Sequence, residues 1–242
     1  MKAGGRNLLI DAGISLKEMI KRSEFAGIDL SQVSDCLITH EHVDHIRGVK
    51  GLAKHSSCEV WATEETLISL DEVERKQTLI PNEPITLGEA VVTPIRISHD
   101  AKSPVGYLIE DEKSRALVLT DTGKRPVNLD QYINNLDLVV LEANHNVRML
   151  QTGPYPWSLK KRIMSVYGHL SNQDSGKILS DIVRQAPKTP YCFLAHLSEE
   201  NNKPQIAVLD VATTLKEEGI IPGKDVSLQV ANQYTPSKVI CF

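Results

Sequence analysis

Short apolar runs rich in β-branched residues recur along the chain, separated by segments of helical period. NLLI (7–10), CLIT (36–39), EVWA (59–62), VVTPIRI (91–97), GYLIE (106–110), ALVLT (116–120), LVVLE (138–142), YCFLA (191–195) and SLQVA (227–231) predict strands. Caps place the helices. Ser171 followed by Asp174 resembles a capping box, and Ile178, Leu179, Ile182 and Val183 then form one stripe. Pro204 suits a first helical position, Val208, Val211, Ala212 and Leu215 face one way, and Gly219 lies where that helix would end. In PYPWSLKKRIMSVYG, Leu159, Ile163 and Val166 share a face and leave Lys160, Lys161 and Arg162 on the other side. This alternation predicts a layered α/β fold, and with no repeat or Gly/Ser linker the expectation is one domain over residues 1–242.

The ends of the strands carry the chemical signal. CLIT runs into His40, RIS into His99, LVLT into Asp121, LVVLEAN into His145 and YCFLA into His196. A strand fixes where its last side chain points, and strands of one sheet bring their ends to a common edge, so distant residues can converge.

Composition narrows the picture. At 41% hydrophobic and 24% charged residues the chain is an ordinary globular protein, not a disordered or fibrous one. The formal net charge of −4 provides no global basic field, so polyanion binding would need a local patch or bound cations. Cys36 and Cys192 sit in apolar runs and read as reduced, buried thiols, and no C-x-x-C pair occurs. The four-residue apolar run before Asp11 is too short for a signal-peptide core, and no later run reaches a membrane-spanning length. A soluble, cytoplasmic protein without membrane contact is expected.

The densest motif is THEHVDH, residues 39–45. In extended geometry His40 and His42 point the same way, so both can grip one ion. Asp44 and His45 then fall at the start of a predicted helix running through Ile46, Val49, Leu52 and Ala53, where they could serve a neighbouring ion. His55 reads as a surface residue. His169 precedes the capped helix at Ser171, whose free N–H groups suit a phosphate oxygen. Lys160, Lys161 and Arg162, near Tyr155 and Trp157, could follow a nucleic-acid backbone and stack bases.

THEHVDH resembles the H-x-H-x-D-H signature of the metallo-β-lactamase fold. Asp11 in LLIDAG resembles that fold's structural aspartate, His99 its third-motif histidine, Asp121 in TDTG its bridging aspartate, and His196 its last histidine. More narrowly, EANHN, GPYPWSLKKRI, GHLSN and AHLSEENNKP resemble the YycJ (WalJ/VicX) family, from about residue 7 onward. The resemblance implies a four-layer αββα sandwich, here without the LASGSSGN-like first strand and turn that relatives usually carry. It also implies two metal sites: His40, His42 and His99 on one ion, Asp44, His45 and His196 on the other, with Asp121 bridging. Imidazoles and carboxylates without thiolate suit Zn²⁺, Mn²⁺ or Fe²⁺, and ligand type alone does not choose. Ions about 3.5–4 Å apart can share a hydroxide, and their charge favours an anionic substrate such as a phosphodiester. By resemblance to tRNase Z-type nucleases, Glu142 pairs with His169, which stabilises the phosphate or protonates the leaving oxygen; His145 would lie behind the ligands.

The resemblance implies a DNA exonuclease acting 5′→3′, with nucleic acid as partner, DNA before RNA, and Asp44 also taking the water's proton. From Asp121 to His196 is 75 positions, too short for the inserted β-CASP domain. From His99 to Asp121 is 22, without room for the tRNase Z arm. Two other readings stay open: a phosphodiesterase or esterase for small molecules, and a metal-bound regulatory module linked to cell-wall signalling.

Overall fold

A computed structural model describes residues 1–241. It contains two compact units: Met1–Arg96 with Ala101–Ser114 and the segment from Tyr234 on, and Ile97–Asp100 with Arg115–Gln233.

The first unit opens on a hairpin of β1 (Lys2–Ala3) and β2 (Arg6–Ile10), followed by α1 (Leu16–Phe25), β3 (Asp35–Leu37), α2 (Val43–Ile46), α3 (Val49–Ser56), β4 (Glu59–Thr63), α4 (Glu64–Leu67) and β5 (Lys76–Leu79). The strands form a sheet in the order β1-β2-β3-β4-β5, parallel from β2 onward. β6 (Ile85–Leu87), β7 (Ala90–Arg96) and β8 (Val105–Glu110) add an antiparallel meander. Side chains alternate across the sheet. Cys36 and Ile38 therefore pack with Met19, Val49 and Leu52 beneath the helices, while Leu37 packs with Val92, Tyr107 and Ile109 of the meander.

The second unit holds β9 (Arg115–Leu119), β10 (Leu138–Glu142), α5 (Val147–Thr152), α6 (Trp157–Ile163), α7 (Asn172–Arg184), β11 (Tyr191–Ala195), α8 (Pro204–Glu217) and β12 (Ser227–Val230). Its four strands run parallel in the order β12-β11-β10-β9, with Val139 beside Leu117 and Cys192. The C-terminal ends of β9, β10 and β11 thus share one edge, which sends Asp121, Glu142 and His196 to the same side.

The strands follow the apolar runs to within two residues. Three were not expected: β1, β5 and β6 are short or polar, and pattern alone does not reveal them. The helix expected through Ala53 is interrupted between Ile46 and Val49. Its Gly48 amide donates to the Ala12 carbonyl at 2.7 Å, so the chain breaks to pack on the loop after β2. The caps hold as expected: Ser171 Oγ accepts from the Asp174 amide at 3.1 Å, and Pro204 begins α8. Cys36, Cys58 and Cys192 are buried free thiols. No helix among the described residues is long and apolar enough to cross a membrane.

Candidate metal and catalytic site

In the first unit the loop after β3 brings three imidazoles together. His40 lies with its ring centroid 4.5 Å from that of His42 and 4.1 Å from that of His45. His42 caps α2, and Asp44 and His45 occupy its single turn. Asp11 organises this loop: its Oδ1 accepts from the Thr39 amide at 2.8 Å, and its Oδ2 lies 2.9 Å from Thr39 Oγ1 and 2.7 Å from His45 Nδ1. Thr39 Oγ1 in turn lies 3.0 Å from His40 Nδ1. Gly13 permits the approach, because a Cβ there would sit 1.5 Å from the Asp44 carbonyl oxygen.

The second unit gathers His99, Asp121, Glu142, His169 and His196. Asp121 Oδ1 lies 3.3 Å from His196 Nε2 and 3.7 Å from His99 Nε2. Glu142 is fully buried, and its carboxylate meets four nitrogens. Oε1 faces Nδ1 of His169 at 2.8 Å and Nδ1 of His196 at 2.9 Å. Oε2 accepts from the amides of Thr122 at 3.0 Å and Leu170 at 3.2 Å. Burial pushes this carboxyl up, but the hydrogen bonds from His169 and His196 outweigh it and hold the pKa down to about 2. Glu142 is thus an anion that orients two rings, and its carboxylate also lies within 4.8 Å of the candidate donor atoms of Asp121, His169 and His196.

One rule runs through both units. Nδ1 of His45, His99 and His196 faces Asp11 Oδ2, the Gly168 carbonyl and Glu142 Oε1 respectively, which presents Nε2 as the candidate ligand atom. Burial lowers the His99 pKa, favouring the neutral, ligating ring. Ligand atoms bonded at about 2.0–2.1 Å in a tetrahedral shell lie roughly 3.3 Å apart. The Asp121–His196 spacing matches that value, and the donor types fit a divalent ion.

Three strand ends turn left-handed to aim these groups: Asp11 at φ 55°, Asp121 at 55° and His196 at 56°. Such backbone is uncommon outside glycine and concentrates at functional sites.

Behind them lies an amide network that the sequence reading missed. Asp210 Oδ2 accepts from Asn146 Nδ2 at 2.7 Å and Asn172 Nδ2 at 2.9 Å. Asn202 Nδ2 donates to Asn172 Oδ1 and the Ala143 carbonyl, both at 2.8 Å. Asn144 Nδ2 donates to the His196 carbonyl at 3.0 Å. These contacts join the loops that follow Glu142, His169 and His196. The only hint was the density of asparagines in EANHN, GHLSN and ENN.

His145 is buried, and its Nδ1 has no hydrogen-bond partner among the described residues. Burial pushes its pKa down to about 4. His55 is exposed, as expected. The basic trio divides. Lys160 is not on the open face: it is buried, and its Nζ donates to the carbonyls of Gln151 at 2.9 Å and Gly153 at 2.7 Å. Its ammonium closes the end of α5 and is not available to a substrate. Lys161 lies 5.7 Å from the ring centroid of the exposed Trp157, and the exposed Arg162 pairs with Asp100. Val166, expected on the packed side, is half exposed. A cleft of about 350 Å³ opens beside His169 and His196, with Tyr155, Leu159, Arg162 and Ser198 in its lining.

Comparison with known proteins decides the family. Residues 6–186 match the family model described as the beta-lactamase superfamily domain. The chain belongs to the metallo-β-lactamase superfamily. Within it, the chain is 32% identical over 240 residues to exodeoxyribonuclease YycJ of Bacillus anthracis, covering 97% of this chain and 90% of that one. Identity to exodeoxyribonuclease WalJ of Streptococcus pneumoniae is also 32%, over 234 residues, covering 93% and 86%. Within that superfamily the chain therefore belongs with the YycJ/WalJ proteins. The fold is shared by the metallo-β-lactamase fold protein YhfI from Bacillus subtilis, with a TM-score of 0.70 and 15% identity over 96% of this chain and 86% of that one. The protein is a metal-dependent hydrolase of this superfamily.

Proposed function

We propose that the protein is a DNA exonuclease that hydrolyses phosphodiester bonds in the 5′→3′ direction with two divalent ions. His40, His42 and His99 would hold one ion, Asp44, His45 and His196 the other, and Asp121 would bridge them. Bound there, the ions would supply a water acidified toward neutrality and positive charge for the phosphate oxygens. Asp44 accepts the water's proton. His169 donates a proton to the departing oxygen through Nε2, the nitrogen left over once Nδ1 bonds Glu142. Lys161 and Trp157 offer charge and a stacking face to the strand. A DNA substrate in turn implies the cytoplasm.

The observation that carries this reading is the buried Glu142 paired with His169, whose ring lines a cleft, in a chain related to two exodeoxyribonucleases. The deciding experiment digests linear DNA labelled at the 5′ or 3′ end with protein loaded with Mn²⁺ or Zn²⁺. Early release of the 5′ label is expected, and intact DNA with both metals overturns the reading. The small size of the cleft favours, as a second reading, a phosphodiesterase for small esters. Efficient turnover of a chromogenic phosphodiester, with DNA untouched, would select it.

A further inference from the structure

The cleft beside His169 has the makings of a nucleotide pocket. Its lining combines the apolar and aromatic groups of Tyr155, Leu159 and Ile163 with the hydroxyl of Ser198 and the amide of Gln233. Gly168, also in the lining, lets the chain pack closely on the end of α6, because a Cβ there would lie 2.1 Å from the Ile163 carbonyl oxygen. Arg162 lies in the same lining. Asp100 holds its guanidinium through Nε and a terminal nitrogen, while the other Asp100 oxygen lies 3.3 Å from His99 Nε2. The guanidinium is thereby held in place on a side chain that is still 57% exposed, so an incoming anion can reach it. A fork of this kind suits the oxygens of a phosphate. At about 350 Å³ the cleft stands at the low end of ligand sites, which run from about 300 to 1,000 Å³. That is room for one nucleotide and not for a duplex.

We propose that this cleft receives the terminal nucleotide of a DNA strand as a nucleoside 5′-monophosphate unit, with its 5′-phosphate on Arg162; the inference rests on the exonuclease reading above. With the 5′-phosphate on Arg162, the 3′-oxygen of the same nucleotide faces His169. Water's oxygen bonds to the next phosphorus while the P–O3′ bond breaks. Asp44 takes the water's proton and His169 gives one to O3′. The released product is a nucleoside 5′-monophosphate with a free 3′-hydroxyl. The shortened strand keeps the new phosphate at its 5′ end, so each cut regenerates the group that Arg162 reads.

The test compares strands carrying a 5′-phosphate or a 5′-hydroxyl, labelled at the 3′ end, in the wild type, Arg162→Ala and Arg162→Lys. In parallel, calorimetry measures binding of deoxyadenosine 5′-monophosphate and of deoxyadenosine. The wild type is expected to degrade the phosphorylated strand at least about tenfold faster. Arg162→Ala should bring that ratio near one, and Arg162→Lys should keep part of it. The monophosphate should bind the wild type at least about tenfold more tightly than the nucleoside, and that advantage should vanish in Arg162→Ala. Equal rates for the phosphorylated and the hydroxyl strand, or a ratio unchanged in Arg162→Ala, overturns the proposal and leaves the exonuclease reading standing. If no DNA is cut, the exonuclease reading fails and calorimetry decides the cleft alone. Monophosphate binding lost in Arg162→Ala then supports it, and no binding overturns it.

Discussion

Oε1 of Glu142 lies 2.8 Å from Nδ1 of His169 and 2.9 Å from Nδ1 of His196. A single buried oxygen thus orients both the ring expected to donate a proton and a ring expected to hold metal.

That sharing predicts a split between two variants. His169→Ala should lower kcat by about 10²–10⁴-fold while metal content stays intact, and a substrate with a good leaving group should recover much of the loss. Glu142→Gln should lower kcat and also weaken metal binding by about 10–100-fold, because His196 loses its support. Elemental analysis beside steady-state rates distinguishes the two. Equal metal affinity in wild type and Glu142→Gln would show that His196 does not depend on Glu142.

Asp11 ties Thr39 and His45 together. Asp11→Ala should weaken divalent-metal affinity about 10–100-fold and lower activity at limiting metal, with recovery at high metal. Metal titration followed by activity checks both halves.

Lys160 and Lys161 are neighbours with opposite expectations. Lys160→Ala leaves the carbonyls of Gln151 and Gly153 without their donor, and should cost about 1–3 kcal/mol of stability. Denaturant unfolding measures that. Lys161→Ala should leave stability within about 0.5 kcal/mol and reduce the salt dependence of DNA binding by about one counterion.

His145 makes acid stability testable. Its folded pKa of about 4 lies below the ordinary histidine value of 6.5. Between those values the unfolded chain binds more protons, so stability rises with pH across that window and is lost as pH falls from 6.5 toward 4. The loss is at most roughly 3 kcal/mol. His145→Phe should flatten that limb in a series of urea melts. Glu142 acts lower down: its stabilisation is present above about pH 4.5 and disappears as pH falls toward 2.

The strands and their terminal residues were legible because buried parallel strands are continuous apolar runs, and a ligand at the end of such a run breaks the pattern visibly. THEHVDH was legible because its four ligand-type residues crowd within six positions. Lys160 was not, because helical period separates faces but does not say that the end of α5 packs beneath this one. The Gly48 break depends on a contact with Ala12, distant in sequence. Asp210 was invisible for the same reason: its partners Asn146 and Asn172 stand 64 and 38 positions away.

The left-handed corners at Asp11, Asp121 and His196 set fitness for folding against fitness for chemistry at single positions. Glycine at any of the three would relax the backbone by up to about 1 kcal/mol while deleting the group that the corner exists to aim. At Asp11 the same change would also strip the Thr39 amide and the His45 ring of their partner, so the strained backbone is held there by contacts worth more than its relief.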